Sequence, residues 1–225
     1  LAQGPLRPVA HERWRMRLAM STDELEAHLR EMYPGERFTA PRAWNDPRYN
    51  HPSQPVVGIC WYEARAYCAW LGRQSALPLR LPTEAEWEAA ARGTAGRAYA
   101  FGDTWSAAKA NSHDTHIRST TPVGVFPEGD TPEGIQDLTG NAYEWTSSAF
   151  GRDRAVAEFG YPYDPGDGRE APGLPNDVLR VSRGGAWASV QATSHAAFRG
   201  PLSPSERNNQ GGLRLACGID PGARR

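Results

Sequence analysis

Residues 79–93 read Leu-Arg-Leu-Pro-Thr-Glu-Ala-Glu-Trp-Glu-Ala-Ala-Ala-Arg-Gly, and each part of the run has a local physical meaning. Leu79 to Leu81 alternates as a short strand. Pro82 then precedes Thr83, whose hydroxyl can accept from the amide of Glu86 while the Glu86 carboxylate reaches back to the Thr83 amide. That reciprocal capping box predicts a helix start. The helix runs through Trp87 to about Arg92 and stops at Gly93, the residue best suited to a left-handed C-terminal position.

Upstream, residues 55–71 read Pro-Val-Val-Gly-Ile-Cys-Trp-Tyr-Glu-Ala-Arg-Ala-Tyr-Cys-Ala-Trp-Leu. Val56 to Ile59 reads as a short strand. Tyr62 to Leu71 reads as a helix with Ala64, Tyr67, Cys68 and Leu71 on one face. Ser21 and Glu24 form another capping box, which predicts a helix of about ten residues ending near Pro34-Gly35. Residues 1–20 are Arg-rich without a clear pattern, and residues 40–55 form a loop. Downstream of residue 95 the helical period is lost. Short apolar runs follow at Pro122–Phe126, Tyr143–Thr146, Val178–Ser182 and Leu213–Cys217, with a long excursion over 151–177 rich in Gly, Pro and Asp. The expected fold class is α+β: two helices near the front, then short antiparallel strands and many long loops.

The 225 residues suit one domain with a sizeable core. The 23 glycines and 19 prolines argue for turns and loops, against a helical bundle. A net charge of −1 gives no electrostatic case for nucleic-acid or membrane partners. No apolar run approaches the roughly 20 residues that span a bilayer. Lys109 is the one lysine among 25 basic residues, a skew that, with the prolines, suits a heat-adapted protein. Cys60, Cys68 and Cys217 have no disulfide-framework spacing and read as small buried core residues; a reducing, cytoplasmic setting is expected. No nucleophile elbow, phosphate loop or zinc pattern is present.

Residues 55–71 and 79–93, Asp137-Leu-Thr-Gly-Asn-Ala-Tyr-Glu-Trp-Thr146, and Arg183-Gly-Gly-Ala-Trp187 followed by Gly212-Leu-Arg-Leu-Ala216 occur in one order. Together they resemble the formylglycine-generating-enzyme family over roughly residues 20–217. The resemblance implies a C-type-lectin-type fold with both domain ends paired in a small sheet. It divides the chain into an extension at 1–20, the domain at 21–217 and a tail at 218–225, with a further upstream domain possible. Trp87 and Trp145 are expected to be buried, and Gly184 and Gly185 to serve close approach or positive φ.

Active members of the family bind copper through two cysteines after the Arg-Gly-Gly motif. The matching positions here are Ser189 and Ser194, and hydroxyls are poor Cu(I) ligands. No copper and no enzymatic activity are therefore expected. An iron-dependent branch of the family draws its histidines largely from a helical domain that this sequence does not include. His113 and His116, three apart, read as a solvated loop. The resemblance implies a structural calcium loop, with the oxygen donors a hard cation takes: Asp137 and Glu144 by side chain, Gly140 and Ala142 by carbonyl; the alternative is a turn held by hydrogen bonds without metal. Asn111, Ser112 and Asp114 form a poorer second match.

Residues 188–211 lie between two scaffold-like anchors, Arg183–Trp187 and Gly212–Ala216. Arg199, Pro204 and Arg207 also resemble scaffold positions. The rest resembles the end of the variable proteins of diversity-generating retroelements, in which adenine-directed mutagenesis rewrites Asn-type codons. The expected contact residues are Ala188, Ser189, Val190, Thr193, Ser194, Phe198, Gly200, Pro201, Leu202, Ser203, Asn208 and Asn209. Gln191, Glu206 and Gln210 do not fit such codons and would be fixed. The reading is a non-catalytic protein displaying a variable C-terminal surface to a protein or other macromolecular ligand. The alternatives are a fixed binding or regulatory domain of the same family and a copper-dependent oxidase that generates formylglycine.

Overall fold

A computed structural model of the chain describes residues 8–32 and 38–218. The chain divides into two compact units, Leu1–Thr39 and Ala40–Arg225. The first contains α1 (Pro8–Ala19) and α2 (Thr22–Met32). The capping box that starts α2 is formed: the Ser21 amide donates to Glu24 Oε2 at 2.8 Å and the Glu24 amide to Ser21 Oγ at 3.3 Å. The expected end of this helix near Pro34-Gly35 lies outside the described residues. Helix α1 has no counterpart in the sequence reading, because its Arg13, Arg15 and Arg17 interrupt any apolar stripe.

In the second unit, α3 spans Trp61–Ser75 and buries Trp61, Ala64 and Cys68 at helical spacing. Tyr67 was expected on that face but is 45% exposed, so the stripe is narrower than the periodicity suggested. Helix α4 covers Glu84–Arg92. Its capping box is in place, with the Glu86 amide on Thr83 Oγ1 at 3.1 Å and the Thr83 amide on Glu86 Oε2 at 2.9 Å. Gly93, at φ 55°, ends it, its amide donating to the Ala89 carbonyl at 2.9 Å. Four α-helices are thus described: the three read along the sequence and α1, against the two counted in the expected fold class.

Strand β1 (Leu79–Arg80) pairs with β6 (Ala216–Cys217), while β2 (Tyr143–Gly151), β3 (Leu179–Arg183), β4 (Gly200–Leu202) and β5 (Gly211–Leu213) form a sheet in the order β4-β3-β2-β5. The small sheet ties the C-terminal end to Leu79, not to the front of the domain. Strand β5 runs parallel to β2, whereas antiparallel strands alone were expected. The apolar run Leu213–Cys217 is split into two strands in different sheets. Val56–Ile59 is not a strand: Gly58 sits at φ +81° and breaks the extended path. Pro122–Phe126 is a turn, with Val123 and Val125 exposed; the Val123 amide donates to the Ser53 carbonyl and the Gly124 amide to Asp137 Oδ2.

Two main apolar clusters fill the interior. One joins Ile59, Trp61, Ala64, Cys68, Leu81 and Trp145; the other joins Trp87, Ala91, Ala100, Leu138 and Ala196. The three buried indoles satisfy their N–H groups on the Thr146 carbonyl (Trp61), the Ile59 carbonyl (Trp145) and Glu144 Oε2 (Trp87). A buried indole without such an acceptor would carry an uncompensated donor. Buried charges complete the interior. Glu84, fully buried, accepts from both Arg169 and Arg199, which fastens the long 152–178 loop and the 184–199 segment to the start of α4.

Candidate functional site

The Arg-Gly-Gly turn after β3 sets the geometry of the segment that follows. Gly184 and Gly185 both have positive φ, 92° and 76°. A Cβ on Gly184 would stand 3.1 Å from the Trp87 ring, and one on Gly185 would stand 2.8 Å from Ser194 Oγ. Only glycine lets the chain pass here. The turn then carries Ser189 and Ser194 inward, to 5% and 0% exposure. Ser189 Oγ accepts from the Ala186 amide at 2.9 Å and donates to the Tyr143 hydroxyl at 3.0 Å. Ser194 Oγ donates to the Val190 carbonyl at 3.2 Å. Both hydroxyls are consumed by the fold, and neither offers the soft donor that Cu(I) requires; the residues present do not fit that metal.

The same burial corrects the expected contact list. Ser189, Ser194 and Gly200 are interior and cannot meet a ligand by side chain. Gly200 also cannot accept a larger residue in place, because its Cβ would lie 2.5 Å from Ser182 Oγ. Val190 is the one exposed member of the set, at 49%. Ala188, Thr193, Phe198, Pro201, Leu202, Ser203, Asn208 and Asn209 are half-buried. Leu202 packs against the α3 cluster, and Pro201 and Leu202 are held in β4. Three of the twelve positions are therefore interior, and the other nine are exposed or half-buried.

Asn208 and Asn209 line a cavity. They close one side of a cleft of about 370 Å³, together with Arg207; Arg42, Ala43, Asp46 and Tyr49 close the other. The two walls are fastened by backbone and aromatic contacts. The Arg42 amide donates to the Gly58 carbonyl at 2.9 Å, and the Gly58 amide to the Gly211 carbonyl at 3.1 Å. Asn209 Nδ2 donates to the Tyr49 hydroxyl at 2.9 Å, while Trp187 Nε1 donates to the Asn209 carbonyl at 3.1 Å. Sequence reasoning missed the first wall, since residues 40–55 carry no pattern that links them to residues 207–209.

The expected calcium loop also faces a cavity, of about 430 Å³, lined by Asp137, Ala142 and Glu144 but not by Gly140. Glu144 is already engaged there. Arg214 donates to both of its carboxylate oxygens at 2.8 and 2.9 Å, and Trp87 Nε1 donates to Oε2 at 2.6 Å. Asp137 Oδ2 accepts from the Gly124 amide at 2.8 Å. Burial pushes the Asp137 carboxyl above its ordinary pKa. A guanidinium thus holds the position of charge that a cation would take, and the arrangement does not fit calcium unless Arg214 withdraws. At the second match, Asn111 Nδ2 donates to the Ser119 carbonyl, Ser112 Oγ accepts from the Asp114 amide, and Asp114 Oδ2 accepts from Trp105 Nε1. Among the described residues no group of three or more His, Cys, Asp and Glu side chains could hold a metal ion.

Cys60 and Cys68 are buried, and burial raises both thiols above their ordinary pKa. Cys217 is exposed, against expectation, because β6 is two residues long and pairs only with β1. No described helix is long and apolar enough to cross a membrane.

A model of the sulfatase-modifying factor enzyme 1-like domain matches residues 12–219. The chain is 34% identical to a serine/threonine-protein kinase pkn1 of Chlamydia caviae, over 75% of this chain and 25% of that protein. It is 33% identical to a hercynine oxygenase of Mycolicibacterium thermoresistibile, over 81% of this chain and 42% of that one. It is 38% identical to an inactive C-alpha-formylglycine-generating enzyme 2 of Bos taurus, over 73% of this chain and 50% of that one. The chain therefore spans between a quarter and a half of these curated relatives. Treponema denticola variable protein 1 shares the fold, with a TM-score of 0.63 at 24% identity, covering 79% of this chain and 77% of that one.

Proposed function

The chain belongs to the sulfatase-modifying factor enzyme 1-like family, and from that premise we propose that it is a non-catalytic binding module, a variable protein that presents its C-terminal segment to a protein or other macromolecular ligand. One observation carries the reading: at the two positions where catalytic members of the family have copper-binding cysteines, this chain has buried serines whose hydroxyls are bonded within the fold. A fold shared with a variable protein supports the choice of the C-terminal segment as the binding element. Ligand-binding residues carried on segments held by a rigid scaffold are a general pattern. The proposed partner is neither nucleic acid nor a membrane, in keeping with the net charge of −1. The proposed setting is cytoplasmic, on a heat-adapted scaffold.

The burial pattern makes the proposal specific. Variation should fall on Ala188, Val190, Thr193, Phe198, Pro201, Leu202, Ser203, Asn208 and Asn209, and should spare Ser189, Ser194 and Gly200. Deep sequencing of the 3′ end of this gene across a natural host population tests it. Substitutions piled onto the first set, with Arg183–Trp187 and Gly212–Ala216 untouched, support a diversified receptor. Even scatter, or none, leaves the second reading, a fixed binding or regulatory domain. The identity to a hercynine oxygenase keeps an enzyme as the competing class, and copper binding with turnover of a cysteine-containing peptide would revive the copper-dependent oxidase.

A further inference from the structure

The cleft between Arg42–Tyr49 and Arg207–Asn209 has one feature that a merely structural crevice lacks: a cation left over after its internal charges are paired. Arg207 is matched by Glu63, with Nη2 on Oε1 at 2.9 Å. Asp46 is matched by Arg48 at 2.7 Å. Arg42 is exposed, gives one hydrogen bond to the Arg207 carbonyl at 3.2 Å, and has no carboxylate partner among the described residues. Arg42 lines the cleft, and a guanidinium has donors beyond that one bond.

We propose that this cleft takes a carboxylate side chain of a protein partner, with Arg42 as its anchor; this deepens the reading of the chain as a binding module and rests on it. A planar guanidinium matches a carboxylate in bidentate geometry. A single unpaired cation suits one carboxylate, whereas a polyanion such as nucleic acid calls for a cluster that the net charge of −1 does not provide. Asn208, Asn209 and the aromatic Tyr49 line the same cleft, with the Asn208 side-chain amide donating to Glu206 Oε1 and that of Asn209 to the Tyr49 hydroxyl, both at 2.9 Å. Arginine and aromatic side chains together are the composition of protein-binding hot spots.

The arrangement also divides the labour between the two walls. Arg42 to Tyr49 lies outside the segment proposed to vary, while Asn208 and Asn209 lie within it. Gly58 fixes the distance between the walls: its φ is +81°, and a Cβ there would meet the Ala43 amide nitrogen at 2.8 Å. A constant charged anchor would hold one acidic residue of any partner, and the variable wall would select what flanks it.

The test is a nuclear magnetic resonance titration of the full chain with the peptide acetyl-Gly-Glu-Gly-amide and its Gln counterpart. The Glu peptide is expected to shift the Arg42 guanidinium and the Asn208 and Asn209 amides. Replacing Glu with Gln, or Arg42→Gln in the protein, should weaken binding roughly tenfold, the loss expected of one charge-assisted pair, with Arg42→Lys in between. Equal response to both peptides, a response that survives Arg42→Gln, shifts confined to other surfaces, or no response would each overturn the anchor. None of these would disturb the codon survey, which judges the binding-module reading separately. Arg42 is exposed, so an otherwise unchanged spectrum of Arg42→Gln confirms that the fold is retained.

Discussion

Arg199 grips Glu84 across 115 residues of chain, with Nε and Nη2 on the two carboxylate oxygens at 2.6 and 2.7 Å. Glu84 is fully buried and is held from another direction by Arg169 at 2.8 Å. The contact pins the middle of the 188–211 segment to the first turn of α4. Breaking one partner of a buried ion pair leaves uncompensated charge, which costs about 3–5 kcal/mol. Glu84→Gln should therefore lower stability by an amount of that order in denaturant unfolding. A change under about 1 kcal/mol, the range of an exposed pair, would mean that water reaches the network.

Part of the acid sensitivity should lie at the α4 cap. The hydrogen bonds from Arg80 hold the Glu86 carboxyl down to about 2, from an ordinary value of 4.5. A depressed folded pKa contributes stability that is present above the unfolded value and is lost as pH falls through the folded one. The contribution should fade between about pH 4.5 and 2, and it should be modest, because the pair is 45% exposed on each side. Stability of Glu86→Gln compared with the parent over this window checks it: the difference should shrink with acid and should not grow.

Copper should not bind. Competition for Cu(I) against a chromophoric chelator is expected to leave all the metal on the chelator, and a cysteine-containing peptide should emerge unoxidised. Uptake of one Cu(I) per chain would mean that ligands other than Ser189 and Ser194 serve the metal, and would restore an oxidase.

Calcium should leave the melting temperature of the parent unchanged relative to a chelator, because Arg214 already neutralises Glu144. Arg214→Ala frees that carboxylate beside Asp137 and should introduce a calcium-dependent rise in melting temperature. A rise in the parent itself would show that Arg214 swings away to admit the ion.

Tolerance to substitution should track burial within the C-terminal segment. Changes at exposed Val190 should cost about 0.5 kcal/mol or less. Gly200→Ala, which drives a Cβ to 2.5 Å from Ser182 Oγ, should cost about 1–3 kcal/mol as an overpacked site. Thermal unfolding of the two series distinguishes them, and equal costs would contradict the division of the segment into display and scaffold.

Much was legible in the sequence by itself. The capping boxes at Ser21 and Thr83, the stop at Gly93, the buried Trp87 and Trp145, and the glycine requirement at 184–185 all follow from interactions spanning a few residues or from the size of one side chain. The α+β class was readable too, and the family was readable from the resemblance of four motifs in one order. Tertiary structure decided the rest. Gly58 turned an apparent strand into a clamp between Arg42 and Gly211, because its φ answers to distant backbone and not to its apolar neighbours. Strand β5 joined β2 in parallel, a pairing that residue alternation cannot specify. Ser189, Ser194 and Gly200 went inside and Cys217 went out. The cleft that unites Arg42 with Asn209 exists only because segments some 160 residues apart are docked on one core. Local signals are written in dihedral preference and hydrogen-bond reach, whereas burial and charge pairing depend on which surfaces meet once the whole chain has packed.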